Sequence, residues 1–263
     1  MKKNKVYGSI LLIMCMLVFI GCGKTSENVP KKAEEVHMET ETDQKLYEDS
    51  VKDAMVAEED EIEPVIAITK DSKDVIWKNS TNQVLMFTLN GSPDAYPEKE
   101  EAELKNGEVW VSSAKEMIEW YQKNKDGVDD WTLRLKQLVG LPEEDTSTHM
   151  TAFWVKPDDM FRPAYVEDIT DTDMTTKFNE NVNPEYKQWF DNNIIFSYYD
   201  SAYPWTRLGY TYDWADNGTK RGLCEFIVKK GSKVNVEFTK TVDDFIGWLD
   251  TLDEKEENKL GQE

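Results

Sequence analysis

Residues 225–249, EFIVKKGSKVNVEFTKTVDDFIGWL, decide the fold class. Glu225-Phe226-Ile227-Val228 and Val234-Asn235-Val236-Glu237-Phe238 are short runs rich in branched and aromatic residues, separated by Lys229-Lys230-Gly231-Ser232. That arrangement predicts two strands joined as a β-hairpin. Thr241 then stands three residues before Asp244, and Phe245, Trp248 and Leu249 recur at one-face helical spacing, which predicts a capped terminal helix. Two strands followed by a helix, with no regular strand–helix–strand crossover, point to an α+β fold.

The reading extends outward from there. Strand-like runs lie at 65–69, at 84–89 before Asn90-Gly91, at 152–155 and at 194–199. Ser113 with Glu116 has the spacing of a capping box ahead of Met117, Trp120 and Tyr121, and Gly127 ends that run. Asp130 is placed to cap a second helix with Trp131, Leu135 and Leu138 on one face, stopped by Gly140 and Pro142. Asn183-Pro184 is an N-cap followed by a first-turn proline, opening a helix with Tyr186, Trp189 and Phe190. No internal repeat is present. The expectation is a compact mixed α+β domain over residues 105–250, with a C-terminal β-hairpin and a terminal helix. Residues 64–104 are either its first strands or a small lobe, and 251–263 form a charged, apolar-poor tail.

The N-terminus has a different character. Met1-Lys2-Lys3-Asn4-Lys5 is basic, and the apolar run ILLIMCMLVFI over residues 10–20 precedes Gly21 and Cys22. A basic start, a short apolar stretch and a small residue form a secretory signal over residues 1–21. The apolar stretch is well short of the roughly 20 residues that a membrane-spanning helix needs. Phe19-Ile20-Gly21-Cys22 resembles the lipobox of bacterial lipoproteins. That resemblance implies cleavage before Cys22 and lipidation of its thiol. The protein would then be held on the extracytoplasmic face of the cell membrane, since two or three acyl chains anchor stably where one does not.

Residues 22–63 are rich in Glu, Asp, Lys, Ser and Thr, and Tyr47 is their single aromatic residue. So little apolar surface predicts a disordered acidic tether. Roughly 40 flexible residues span about 35 Å and would lift the domain off the membrane. A helix near 43–57 is the alternative. Loss of Lys2, Lys3 and Lys5 with the signal takes the formal charge from −21 to −24. Such a chain is repelled by nucleic acid, so the expected partners are the membrane, through the lipid, and a glycan, cell-wall or protein ligand. Cys15 leaves with the signal and Cys22 is alkylated, so Cys224 alone remains as a thiol and a disulfide framework is excluded.

The motifs of common catalytic and metal sites do not occur: no HExxH, CxxC, P-loop, GxGxxG or Gly-x-Ser-x-Gly. No metal ligand set and no cofactor is expected. His149 is the single histidine beyond His37, and its pairing with Cys224 as a nucleophile competes with a buried, inert cysteine. Residues 186–214, YKQWFDNNIIFSYYDSAYPWTRLGYTYDW, concentrate eleven aromatic residues. Strand alternation would place Tyr210, Tyr212 and Trp214 on one face, and with Trp205 and Arg207 they could form a platform for a sugar or nucleobase. The competing reading is that these rings fill the core.

Residues 225–236 are similar to the catalytic-glutamate strand of mono-ADP-ribosyltransferases, where a Glu heads an apolar strand, a Gly-Ser turn follows and a second strand pairs back. That resemblance implies an enzyme acting on a nucleotide or sugar-like substrate, with NAD as cosubstrate. Arg162 would grip the dinucleotide, Thr206 or Thr211 would sit between, and Glu225 would orient the attacking group against an oxocarbenium-like centre. Leu223 and Pro163 depart from the family pattern. Leu141-Pro142, Phe161-Arg162-Pro163 and the run 204–209 also resemble parts of exported bacterial proteins to which no activity attaches.

Overall fold

The computed structural model describes residues 31–252 and 259–261, with side chains described from residue 42 onward apart from Asp200. The described residues from Glu39 onward form one compact unit. The signal, the lipobox and Cys22 lie outside the described residues.

Nine strands join in one sheet among the described residues: β1 (Trp77–Lys78), β2 (Gln83–Asn90), β3 (Glu101–Glu103), β4 (Val109–Ser113), β5 (His149–Val155), β6 (Met160–Phe161), β7 (Tyr210–Tyr212), β8 (Arg221–Val228) and β9 (Lys233–Thr241). The order is β3-β9-β5-β2-β4-β8-β6, with β1 on β2 and β7 on β8. Every pairing is antiparallel. The helices are α1 (Lys31–Ala54), α2 (Ala114–Asn124), α3 (Trp131–Leu138), α4 (Pro184–Ile195) and α5 (Val242–Thr251). The fold is α+β, as the sequence predicts. β2 stands near the middle of the sheet, so residues 77–90 belong to the domain's own framework and not to a separate lobe.

The predicted hairpin does not form. β8 pairs with β4, β6 and β7, whereas β9 pairs with β5 and β3. Four strand spacings therefore separate β8 from β9. Laid flat they would span roughly 19 Å, more than the roughly 16–18 Å that five residues can bridge. The sheet therefore curls. Val228 and Val234, at the two ends of this link, meet in the cluster the sheet curls around, with Val84, Met86, Phe153, Cys224 and Phe226. Extended loops cover that face with Val65, Ile68, Tyr96, Leu104 and Ile169. Residues 65–69, predicted as a strand, are one of these loops.

The other face carries Leu85, Phe87, Ala152, Trp154 and Leu223, and α2, α3 and α5 pack on it. Phe87 meets Phe245 edge-on at 5.2 Å and Trp248 at 6.0 Å. Such pairs add about 0.5–1.5 kcal/mol each beyond area burial, which matters in a domain that no disulfide braces. Three helix starts are as predicted. Asp130 accepts from Leu133 N, Asn183 from Glu185 N ahead of Pro184, and Thr241 from Asp244 N. Gly140, at φ +71, supplies the left-handed residue after α3. The capping box of Ser113 and Glu116 is absent, because Ser113 donates to Asp74 O at 2.8 Å and Glu116 turns to Arg221.

A third cluster joins α1, α4 and the aromatic run: Ala54, Tyr186, Phe190, Tyr198, Trp205, Tyr212 and Trp214. Here the alternative that the sequence allows, a helix near 43–57, holds over residues 43–54. α1 buries Ser50, Val51 and Ala54, and Tyr47 packs edge-on against Trp214 at 5.6 Å. Ala54 O and Glu61 O accept from Arg207 Nη2 and Tyr210 OH. The few apolar residues of the acidic stretch thus fall on one docking face, which composition alone does not reveal. Residues 194–199, predicted as a strand, finish α4 and continue as a π-helical turn, Phe196–Asp200. Within the predicted tail, Leu260 packs against the helical face of the sheet, and residues 253–258 lie outside the described residues.

Candidate functional site

Directly opposed residues of antiparallel strands point to the same face. Phe87 opposes Ser112 across β2 and β4, and Ser112 opposes Glu225 across β4 and β8. One row therefore runs Phe87, Ser112, Glu225 on the helical face of the sheet, with Trp110 two residues along β4. Beside this row opens a cleft of about 620 Å³, walled by Trp110, Trp205, Tyr212 and Tyr203, with Phe196 of the π turn and Asn193 of α4 at its side. Trp110 and Trp205 meet edge-to-face at 6.2 Å. Trp110 is 39 % exposed and Phe196 is 50 % exposed, while Trp205 is buried.

The loop that carries Trp205 is held under strain. Ala202 (φ 54) and Arg207 (φ 62) occupy the left-handed region, which costs a non-glycine residue roughly 1–2 kcal/mol. Several bonds hold that conformation. The Trp205 indole donates to Pro163 O at 2.9 Å, and its carbonyl accepts from Tyr198 OH. Arg207 donates to Tyr165 OH at 3.1 Å and to Ala54 O at 2.9 Å. Single-turn π segments such as 196–200 recur at functional sites, where they displace the side chains that follow.

Glu225 is the unusual group. It lines the cleft, is 4 % exposed, and its Oε1 has no hydrogen-bond partner. Burial drives its carboxyl well above the usual carboxylate range. Against that push stand the Arg162 charge and the Trp205 indole N–H, the latter already committed to Pro163 O. A charge taken out of water without a bonded partner reverts to its neutral form. The protonated form of Glu225 is therefore favoured over what an exposed carboxyl would show.

Arg162 and Glu225 do not meet. Arg162 is fully buried with its guanidinium over the Phe226 ring at 4.8 Å. Phe226 follows Glu225 in β8 and so faces the opposite side of the sheet. Arg162 Nη2 donates to the carbonyls of Ile66 (2.8 Å), Asp171 (3.1 Å) and Ile169 (3.3 Å), and Nε donates to Asp168 O (3.4 Å). It ties the 66 and 168–171 loops together. Gly209 (φ +84) leaves room for it, since a Cβ there would lie 2.8 Å from Arg162 Cδ. Burial lowers its pKa, and nearby Cys224, Asp171 and Asp168 favour the charge.

The other predicted site residues divide. Trp205 and Tyr212 line the cleft. Tyr210 does not share their face, because a bulge between Tyr210 and Tyr212 shifts the register and sends Tyr210 into the cluster inside the curled sheet. Trp214 is core, its indole on Leu141 O at 2.9 Å. Arg207 is buried beneath Tyr165 and Tyr198. Thr206 donates to Tyr210 O at 2.6 Å, and Thr211, which reaches the cleft, donates to Leu138 O at 2.7 Å. Beside Trp214, Asp213 forms a two-pronged pair with Arg134, at 3.0 and 2.6 Å. Trp110 is the wall that the sequence reading missed. Its signal was a single ring between Val109 and Val111, a short β-rich run just ahead of the Ser113 helix start.

Cys224 is fully buried, accepts from Ile66 N and Arg221, and has its thiol pushed up to about 12 by burial. His149 lies on β5, with β2 and β4 between it and β8, so the two form no nucleophile pair. Among the described residues no three His, Cys, Asp or Glu side chains converge as a metal site. Among them, too, no helix is long and apolar enough to cross a membrane. No family model, curated protein or solved structure matches the chain.

Proposed function

We propose that this chain is an exported lipoprotein, fixed to the outer face of the cell membrane through Cys22, whose domain binds a small organic ligand in the cleft beside β4 and β8. The anchor rests on the order of charge, apolar run and Gly21-Cys22 at the N-terminus. The binding role rests on one observation: a buried carboxyl with an unpartnered oxygen stands in a roughly 620 Å³ cleft with aromatic walls. Most ligand sites share that build, largely apolar with a few placed polar groups. A transferase reading needs Arg162 beside Glu225, and the Nε and Nη2 of Arg162 donate to backbone carbonyls on the other side of the sheet.

A calorimetric screen of sugars, muropeptide fragments, nucleosides and small amines tests the binding role. At least one class binds one to one, and Trp110→Ala weakens it about tenfold without changing the melting temperature. A screen without a Trp110-sensitive hit refutes the reading. Cys22→Ser moves the protein from the membrane to the soluble fraction and abolishes labelling by radioactive palmitate. Retention of either sinks the anchor.

A further inference from the structure

Two carboxyl residues line the cleft, Glu225 within it and the exposed Glu108 at its rim, and among the lining residues there is no Lys, Arg or His. Glu108 Oε2 accepts from the Trp189 indole at 2.9 Å, which fixes it in place. Arg162 and Arg207 hold loops elsewhere, through four carbonyls and through Ala54 O and Tyr165 OH, and although Arg162 Nη1 and Arg207 Nε are unpaired, neither residue lines the cleft. An anionic ligand would meet two carboxyls with no positive partner. A purely apolar one would leave Glu225 Oε1 unpaired, at the desolvation cost of a buried polar group. A cation with N–H donors satisfies that oxygen, and the faces of Trp110 and Trp205 add attraction for positive charge.

We propose that the cleft takes an organic ammonium ion, a protonated primary or secondary amine on an aromatic or other apolar body, which donates to Glu225 between Trp110 and Trp205. This rests on the binding reading and narrows it to one ligand chemistry. Arrival of the cation favours the charged carboxylate, and a proton held by the carboxyl leaves to solvent as the ion pair forms. The groups that feel Glu225 from adjoining elements are Arg162, which remains charged, and the hydroxyls of Tyr186, Tyr198 and Tyr210, which burial keeps protonated. Glu225 is thus the group that titrates on binding.

Tryptamine, tryptophol and indole-3-acetate carry one ring system with a positive, neutral or negative end, and calorimetry on the purified protein compares them. Tryptamine binds at least about tenfold more tightly than the other two, a gap of about 1.4 kcal/mol. Measured over a series of pH values in two buffers of different ionisation enthalpy, its binding releases protons. Glu225→Gln removes the preference and the proton release. Glu108→Gln, on the surface, lowers tryptamine affinity a few fold with folding intact. Equal or tighter binding of tryptophol or indole-3-acetate in the cleft overturns the cation proposal and leaves the binding role standing. So does tryptamine binding untouched by both variants. Failure of all three compounds to bind overturns the cation proposal, while the binding role is decided by the broader screen.

Discussion

At the scale of single residues, Glu225 costs the fold stability in order to present an acid. Its folded-state pKa lies above the ordinary value of 4.5, because burial penalises the charge. Below that ordinary value both folded and unfolded chains hold the proton, and nothing is lost. As the pH rises past it, the unfolded chain ionises while the folded one does not, so stability falls until the pH reaches the folded pKa. Glu225→Met keeps the volume and removes the titrating group. It should gain about 1–3 kcal/mol over the parent at pH 8, the usual cost of an unsatisfied buried polar group, and the gap should narrow at pH 4. Urea melts at the two pH values check this, and a gap that does not change with pH refutes the assignment of Glu225 as the strained acid. Glu225 could be picked out in the sequence because a carboxylate heads an apolar strand. The burial of Arg162 could not, since its carbonyl partners come from loops about 100 and 10 residues away.

At the scale of elements, the same distinction separates what was legible from what was not. Asp130, Asn183 and Thr241 cap helices through bonds to residues two or three positions on, so the sequence signal is complete where it stands. Ser113 and Glu116 have the same local pattern, but long-range partners, Asp74 and Arg221, take their side chains. The run 194–199 is apolar and short, which fits a strand or the end of a helix equally, and α4 extends into it. α1 is the largest revision, because its docking depends on the distant Tyr212, Trp214 and Lys220. Its amides from 51 to 54 should exchange at least about a thousandfold more slowly than an unfolded chain, as for any buried helical turn. Asp53→Ala, which takes the acceptor from Tyr212 OH (2.8 Å), should cost about 1–2 kcal/mol. Exchange at unfolded rates across 51–54 would restore the tether reading for that segment.

At the scale of the whole molecule, charge decides how the protein can be held to a membrane. The chain carries −21, and an anionic bilayer repels it at low ionic strength, with screening over about 10 Å in 0.1 M salt. Adsorption through the domain is therefore unfavourable. The proposed lipid on Cys22 acts through burial of acyl chains, about 0.8 kcal/mol per CH₂, which salt does not screen. The two contributions separate in a sedimentation assay with vesicles containing one-third phosphatidylglycerol. Protein carrying Cys22→Ser and lacking the signal stays in the supernatant at 10 mM salt, where an electrostatic surface contact would be strongest. Lipidated protein sediments at both 10 mM and 1 M salt, with tighter association at the higher concentration as the repulsion is screened. Co-sedimentation of the unlipidated protein at low salt would reveal a lipid-binding face on the domain. In that case the proposed lipid on Cys22 would not be the sole link between this acidic protein and a membrane.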